Sequence, residues 1–528
     1  MKIDFSNVMQ SLADMYGDRE AMVNVERNRR LTFSEYHALT NRVANMLNDG
    51  LGLGRDDRYF CVLENDNLSL MTFPSIFKAK ACCTYTNIRD PLEEHLRQID
   101  HVEPSVVFIE TAMLEEYYAP LHERGITVVA MDGVGDDFEA SEQLHAFWAL
   151  TDAASDANPH IVHDDRDDCL LMRFTGGTTG LGKCAMYSID NWLMCRDSFL
   201  SIPDGSIVYG DHFLHVAPIS HGSGMMLLPT MFLGGCNFTL NNPDLDIWCR
   251  TVETEQITAA FQVPTLMYRL LELASAQDAD LGSLTTFYYG AAPMSPAKLK
   301  QLQERFGNIF IQVYGSTENI CASAAMPRFD HVVESEEEEA HLAAAGKPVP
   351  GTELIICDDD GNAVPTGEIG EIWMRSRAIC KGYFRNPDQS AAEFEDGYWK
   401  SGDLARQDKN GFVYVVDRKK DMIITGGFNV YVNEVEAALN AHPSVLMSAV
   451  VGIPSSDWGE AVHAEVMLRE GFALDEDAIK QFVKRQIGGV KAPKSIIATD
   501  ELPLSSAGKV LRREVRSKYW TDADRRVA

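Results

Sequence analysis

Thr175, Gly176, Gly177, Thr178, Thr179, Gly180, Leu181, Gly182 and Lys183 follow directly on the apolar run LLMRF. Glycines let a backbone come close to phosphate oxygens and turn successive N–H groups toward them, while hydroxyls donate further hydrogen bonds and the lysine adds a charge. These are the parts of a triphosphate cradle, although a flexible glycine loop without a ligand has the same composition. The segment is not the G-x-x-x-x-G-K-[ST] pattern, because Cys184 stands where a metal-binding hydroxyl belongs. Farther along lie Tyr289-Gly290-Ala291-Ala292-Pro293, Tyr314-Gly315-Ser316-Thr317-Glu318, the segment APISHGSGM with His221, Asp403, Arg418, and Lys509 in a basic tail. Taken singly, each passes for an ordinary turn, a satisfied structural histidine or a solvated charge.

The elements that must hold these residues read as α/β. Through the first 160 residues, helical patterns such as FSEYHALTNRVANMLNDG alternate with short apolar runs such as YFCVLEN and PSVVFIE, the rhythm of a parallel sheet covered by helices. DCLLMRF, HFLHVAP and ITAAFQV each run into Gly, Ser or Pro, where open sheets carry their ligand loops. From about residue 345 the texture changes to short strands split by Asp-Gly, Gly and Asn-Gly turns, as in LIICDDDGNAV and GFVYVVDRKKDMIITGG, which predicts antiparallel hairpins. After Val432 a helix, two strands and a second helix suffice for a small α+β domain of roughly 100 residues. The acidic run from Glu334 to Glu339 reads as a solvated loop, since clustered like charges resist burial.

Composition narrows the classes. A chain of 528 residues exceeds the roughly 250–300 at which single cores stop growing, so two or more domains are expected. A net charge of −31 disfavours duplex nucleic acid or an anionic bilayer as the main partner, and an anionic nucleotide would then need a locally positive site. The 11 cysteines show no zinc spacing and suit reduced thiols. The first 20 residues carry acids where a signal peptide has an apolar core, and no uncharged apolar run reaches the roughly 20 residues of a spanning helix. The expected compartment is the cytoplasm.

Together, the motifs from about Leu31 to Arg513 resemble the adenylate-forming superfamily, which includes acyl-CoA synthetases, adenylation domains of peptide synthetases and luciferases. The resemblance implies an ATP site built from Thr175 to Gly180, Lys183, Gly290, Ala291, Ala292, Pro293, Tyr314, Gly315, Ser316, Thr317, Asp403, Val415, Arg418, Asn429 and Lys509. Tyr314 would stack on adenine, Thr317 would contact the α-phosphate region, and Thr178 and Glu318 would hold the magnesium ion that accompanies ATP. A carboxylate is the hard oxygen donor that Mg²⁺ prefers. Asp403 suits the ribose diol because its two oxygens accept from both hydroxyls. His221 becomes a carboxylate contact or gate, Lys420 a hinge, and Gly426, Gly427 and Phe428 the lining of a coenzyme A path where backbone without side chains leaves room. Lys509 matches the catalytic lysine, whose ammonium offsets charge as a carboxylate attacks the α-phosphorus.

These matches imply a large N-terminal domain over residues 1–419, with parallel-type sheets, helices and a β-rich sub-structure, and a small mobile α+β domain over residues 420–528. The expected activity is ligation of a carboxylic acid to coenzyme A through an acyl-adenylate, with a fatty, alicyclic or aromatic acid as substrate and a homodimer as the candidate assembly. Loading of a carrier protein with an amino acid fits less well, because APISHGSGM has no acid to pair with a substrate ammonium; a luciferase-like use of the adenylate stays open. The chain departs from the family pattern at Gly182 and Cys184 around the loop lysine, at Val432 where relatives often have proline, and at Val490 where an aromatic often precedes Lys-x-Pro. Those departures leave the coenzyme contacts near Val490, Lys491 and Lys494 unassigned.

Overall fold

The computed structural model describes residues 1–520 except 136, 176–181, 205–206 and 506–507. A seven-stranded sheet runs in the order Cys184–Tyr187, Leu171–Phe174, Cys82–Tyr85, Arg58–Val62, Val106–Ile109, Thr127–Ala130, Leu144–Ala146. It is parallel apart from the first, antiparallel pair. Strand Arg58–Val62 shows why the runs read as continuously apolar: Tyr59 and Cys61 enter one core, Phe60 and Val62 another, so both faces are buried.

A nine-stranded sheet has a parallel centre formed by Phe310–Tyr314, Thr286–Gly290, Ala259–Gln262, His212–His215, Cys236–Thr239 and Glu20–Asn24. The first 160 residues feed both sheets, because Glu20–Asn24 and Arg29–Thr32 leave their sequence neighbours to join this second one. The largest core lies between the two sheets, with Tyr85 and Cys83 from one and Phe213, Phe261, Tyr288 and Ile311 from the other. Helix Phe33–Asn45 seals one side and starts at a capping box in which the Thr32 hydroxyl accepts from the Glu35 N–H at 3.2 Å.

Thr352–Cys357, Gly370–Ser376, Tyr398–Gln407, Phe394–Glu395 and Val413–Arg418 form an antiparallel sheet, as the hairpin turns predict. The run GFVYVVDRKKDMIITGG does not stay in it. Val413–Arg418 ends that sheet, and Ile423–Thr425 begins a last sheet with Phe428–Val430, Val445–Ser455, Gly459–Leu468 and Ser495–Ala498, flanked by helices Val432–Asn440 and Glu476–Ile487. One face of this last sheet has its own core of Ile423, Val435, Val450, Val462 and Val483; on the other, Met447, Ala449 and Val451 pack with Trp248, Tyr268 and Leu299 of the large part. The acidic run is also corrected: Glu336–His341 is a short helix whose Ser335 cap accepts from the Glu338 N–H at 3.3 Å. Negative charge at a helix start is favoured by the unsatisfied N–H groups there, which offsets the repulsion within the run.

Candidate active site

Asp403 lies on the buried side of strand Tyr398–Gln407, 4% exposed, directly opposite Arg418 in the antiparallel register. Its carboxylate pairs with the Arg418 guanidinium and accepts from the Tyr314 hydroxyl at 2.6 Å. Burial pushes the Asp403 carboxyl up, against the pull of Arg418 and Tyr314, while the Asp403 charge holds Arg418 above its ordinary range. Asp403 thus reaches Tyr314 from a strand 89 residues away. Val415, half-buried, pairs with Ala405 two rungs along the same ladder.

Small residues shape the floor beside them. A side chain on Gly290 would come within 2.2 Å of the Val313 carbonyl, and one on Gly315 within 2.4 Å of the Cys321 carbonyl, so the backbone there tolerates only glycine. Ala291 turns the chain at φ 66° before Ala292 and Pro293, exposing this edge. The Ser316 hydroxyl accepts from the Asn319 N–H at 3.0 Å, and the Thr317 carbonyl accepts from Tyr187.

Thr175 and Lys183 close the phosphate-loop segment from both ends: the Thr175 N–H donates to the Lys183 carbonyl at 2.8 Å, and the Lys183 N–H to the Thr175 hydroxyl at 3.1 Å. Gly176, Gly177, Thr178, Thr179 and Gly180 lie outside the described residues. The Lys183 ammonium sits 3.0 Å from Glu318, 2.7 Å from Glu393 and 3.0 Å from the Tyr383 hydroxyl. Burial pulls this ammonium down, but the two carboxylates hold it above its usual value. Glu393 is lowered despite burial by its bonds to Lys183 and Tyr383. Glu393 and Tyr383 went unnoticed in the sequence, where the turn KGYFRN and the short helix Pro387–Glu393 carry no motif.

The C-terminal tail completes the cluster. Leu504 and Val510 bridge a tight loop in which the Gly508 N–H donates to Ser505 at 2.8 Å, and the Gly508 carbonyl accepts from the Thr265 hydroxyl at 2.8 Å. Lys509 is exposed, with protein groups crowded around its ammonium. That crowding, with the Arg418 charge and against the Asp403 charge, lowers its ammonium to about 8. His221 opens the turn Gly222–Met226 with Nδ1 2.9 Å from the Ser220 carbonyl. Burial, then the charge of Arg173, and more weakly Lys509, lower the imidazole to about 4, so it is neutral at ordinary pH.

Other expected residues stay apart. Gly426, Gly427, Phe428 and Asn429 form an exposed hairpin, with φ of 56° and 83° at the two glycines, Phe428 60% exposed, and the Gly426 N–H bonded to the Trp458 carbonyl. Lys420 lies exposed between the two β-rich sheets; burial of its ammonium and the charges of Arg418 and Lys183 lower it, against Asp421. Lys491 pairs with Glu434 at 2.7 Å, and Lys494 donates to the Gly489 carbonyl. Among the described residues no group of three or more His, Cys, Asp or Glu side chains could hold a metal by itself. Glu318 can offer a buried carboxylate oxygen, which suits Mg²⁺ that takes its remaining ligands from phosphates and water.

The family described as AMP-binding enzyme matches residues 9–384, and AMP-binding enzyme C-terminal domain matches residues 434–509. The chain is 34% identical over 434 residues to the medium/long-chain-fatty-acid–CoA ligase FadD8 of Mycobacterium tuberculosis, covering 81% of this chain and 74% of that one. It is 32% identical to a feruloyl-CoA synthase of Amycolatopsis, covering 93% and 94%. Among solved structures it resembles ATP-bound MatB from Rhodopseudomonas palustris with a TM-score of 0.84 and 28% identity, covering 97% of this chain and 99% of that one.

Proposed function

The chain belongs to the AMP-binding enzyme family and is an acyl-CoA synthetase of the adenylate-forming superfamily, and from that premise we propose how its residues divide the work and which acids it takes. A carboxylate oxygen attacks the α-phosphorus of ATP, pyrophosphate leaves, and an acyl-adenylate forms. The coenzyme A thiol then attacks the acyl carbon, giving the thioester and AMP. In the first step Asp403 takes the ribose hydroxyls, Tyr314 and the edge from Gly290 to Pro293 the base, and Thr317 and Arg418 the α-phosphate side. Lys183 exchanges its carboxylate partners for phosphates. Mg²⁺, held by Glu318 and Thr178, would neutralise the triphosphate.

The observation that carries this reading is the docking of the loop that bears Lys509, from the far end of the chain: the Thr265 hydroxyl donates to the Gly508 carbonyl at 2.8 Å, and the charges of Arg418 and Asp403 reach the Lys509 ammonium. There a cation stabilises the pentavalent centre and the departing pyrophosphate. We take residues 1–419 as the adenylation domain and 420–528 as a domain that swings about Lys420, so that Gly426, Gly427, Phe428 and Asn429 replace Lys509 for the thiol step. The enzyme is read as cytoplasmic, with a homodimer as the candidate assembly; no helix among the described residues is long and apolar enough to cross a membrane.

The acid is a fatty, alicyclic or aromatic carboxylate. Met226, Leu228, Tyr288, Ile320, Cys321 and Ala322 belong to the apolar core between the two sheets that should receive its body. Met267 and Tyr289 pack instead on the other face of the nine-stranded sheet. Pyrophosphate release on mixing enzyme, ATP and Mg²⁺ with a panel of such acids, followed by coenzyme-dependent AMP release, tests the reading. Release with amino acids alone would overturn it.

A further inference from the structure

Strand Leu171–Phe174 leads into the phosphate-loop segment. Its side chains alternate: Leu171 enters the core between the two large sheets, while Met172 and Phe174 enter the core on the opposite face. By that alternation Arg173 points where Leu171 does, into the apolar layer, and it is 4% exposed. Its guanidinium lies 5.8 Å from the Tyr85 ring centre and 5.9 Å from that of Trp192. Nε has no hydrogen-bond partner, and among the described residues the side chain has neither an ion pair nor a hydrogen bond. The other buried cations keep at least one acceptor: Lys78 donates to Thr40 and Asn41, and Lys298, beside the Tyr268 ring, reaches the Val445 carbonyl at 3.5 Å, while half-buried Arg27 and Arg512 pair with Glu64, Glu110 and Glu436. Two aromatic faces compensate a buried charge only in part, and an uncompensated one is costly to keep.

The surroundings suggest why it is kept. Helix Ile189–Leu200 lays one face along the layer where the acid's body is placed above: Trp192 covers Arg173, the Cys195 thiol meets the Met225 carbonyl at 3.8 Å, the Ser198 hydroxyl accepts from the Ala322 N–H at 3.2 Å, and the Phe199 ring lies 6.1 Å from that of Tyr288. The Arg173 charge also reaches His221, more strongly than that of Lys509 does. The reacting carboxylate already has Lys509 and Arg418 at its end of the site. Arg173 is therefore a cation in the acyl layer that no carboxylate among the described residues neutralises.

We propose that Arg173 receives a second carboxylate, carried by the acid substrate beyond its apolar body, so that the enzyme activates one end of a dicarboxylic acid. This rests on the ligase reading and narrows it. Arg173 takes no part in bond making; it selects the substrate by offering a planar fork of donors to a planar anion.

The test measures pyrophosphate release by the full chain with matched pairs of probes: hexanoic and adipic, octanoic and suberic, decanoic and sebacic, benzoic and terephthalic acids. The diacid of the best pair is expected to exceed its monoacid at least tenfold in kcat/KM, and Arg173→Gln to lower that ratio by about 10²–10³. Thermal unfolding supplies an independent reading. The preferred diacid should raise the Tm of the native chain and not that of the variant, and Arg173→Met without ligand should melt no lower than the native chain, since it removes an uncompensated charge. Preference for the monoacid in every pair, or an equal loss for both members in Arg173→Gln, overturns the proposal. If no acid of either kind releases pyrophosphate, the ligase reading itself fails and this inference falls with it.

Discussion

Two loops of the C-terminal part meet the rest of the molecule in opposite ways. The loop carrying Lys509 is docked: Thr265 holds the Gly508 carbonyl, and a side chain on Gly508 would come within 3.2 Å of Val263. The hairpin carrying Gly426 and Gly427 points away, with no atom within 4 Å of where a Gly427 side chain would begin. Gly426 is explained by the Trp458 ring, 2.8 Å from where its side chain would begin, but no neighbour asks for a bare backbone at Gly427, which suits a surface that meets its partner in another arrangement. The difference matches the proposed division of labour, in which the docked loop serves the first chemical step and the free one the second.

The largest break in that comparison is Lys509→Ala. Pyrophosphate release should fall by about 10²–10³, because a preorganised cation at the reacting phosphorus is lost. Thioester formation from supplied acyl-adenylate should persist; equal loss of both half-reactions would erase the distinction between the loops. The mirror experiment is Gly427→Leu. It should spare pyrophosphate release and slow transfer to coenzyme A by about 10–100-fold, since the side chain obstructs only the second arrangement. A variant that stops exchanging pyrophosphate would count against alternation.

pH sharpens the same contrast more gently. The Lys509 ammonium is lowered to about 8, so the charged form proposed to act in adenylation is present below that value and lost above it. The adenylation rate should decline about tenfold per pH unit on the alkaline side, while thioester formation from supplied adenylate, measured at the same pH values, lacks this limb. His221, lowered to about 4, adds no acid limb near pH 6.

How much of this the sequence foretold depended on whether the signal was local. Phosphate-loop glycines, the Gly290 and Gly315 turns and the docked tail stand out because close approach demands particular residues within a few positions. Partners set by tertiary pairing do not. Lys183 meets Glu393 across 210 positions, and neither the helix nor the turn that brings Glu393 and Tyr383 has a composition that says so. Strand periodicity also ran unbroken through Val413–Arg418 and Ile423–Thr425, although the chain changes sheets between them, since alternation reports which face is buried and not which sheet a strand joins. Repulsion alone predicts a loop for the acidic run, and the cap at Ser335 makes it a helix.

The smallest effect addresses the latch itself. Thr265 is the second residue of helix Pro264–Glu272, and its hydroxyl is the described hydrogen bond between that helix and the docked loop. Thr265→Val keeps the shape and leaves the Gly508 carbonyl without its donor, which should weaken the docked arrangement by about 0.5–1.5 kcal/mol. If only adenylation uses that arrangement, as proposed, pyrophosphate release should fall about two- to tenfold, with the thiol step unchanged or faster as the freed loop leaves more readily. Thr265→Ser, which restores the hydroxyl, should recover the native rate. Separate assays of the two half-reactions decide the matter: a matched decline in both, unrescued by serine, would mean that Thr265 supports the fold and that the docked loop is held by packing alone.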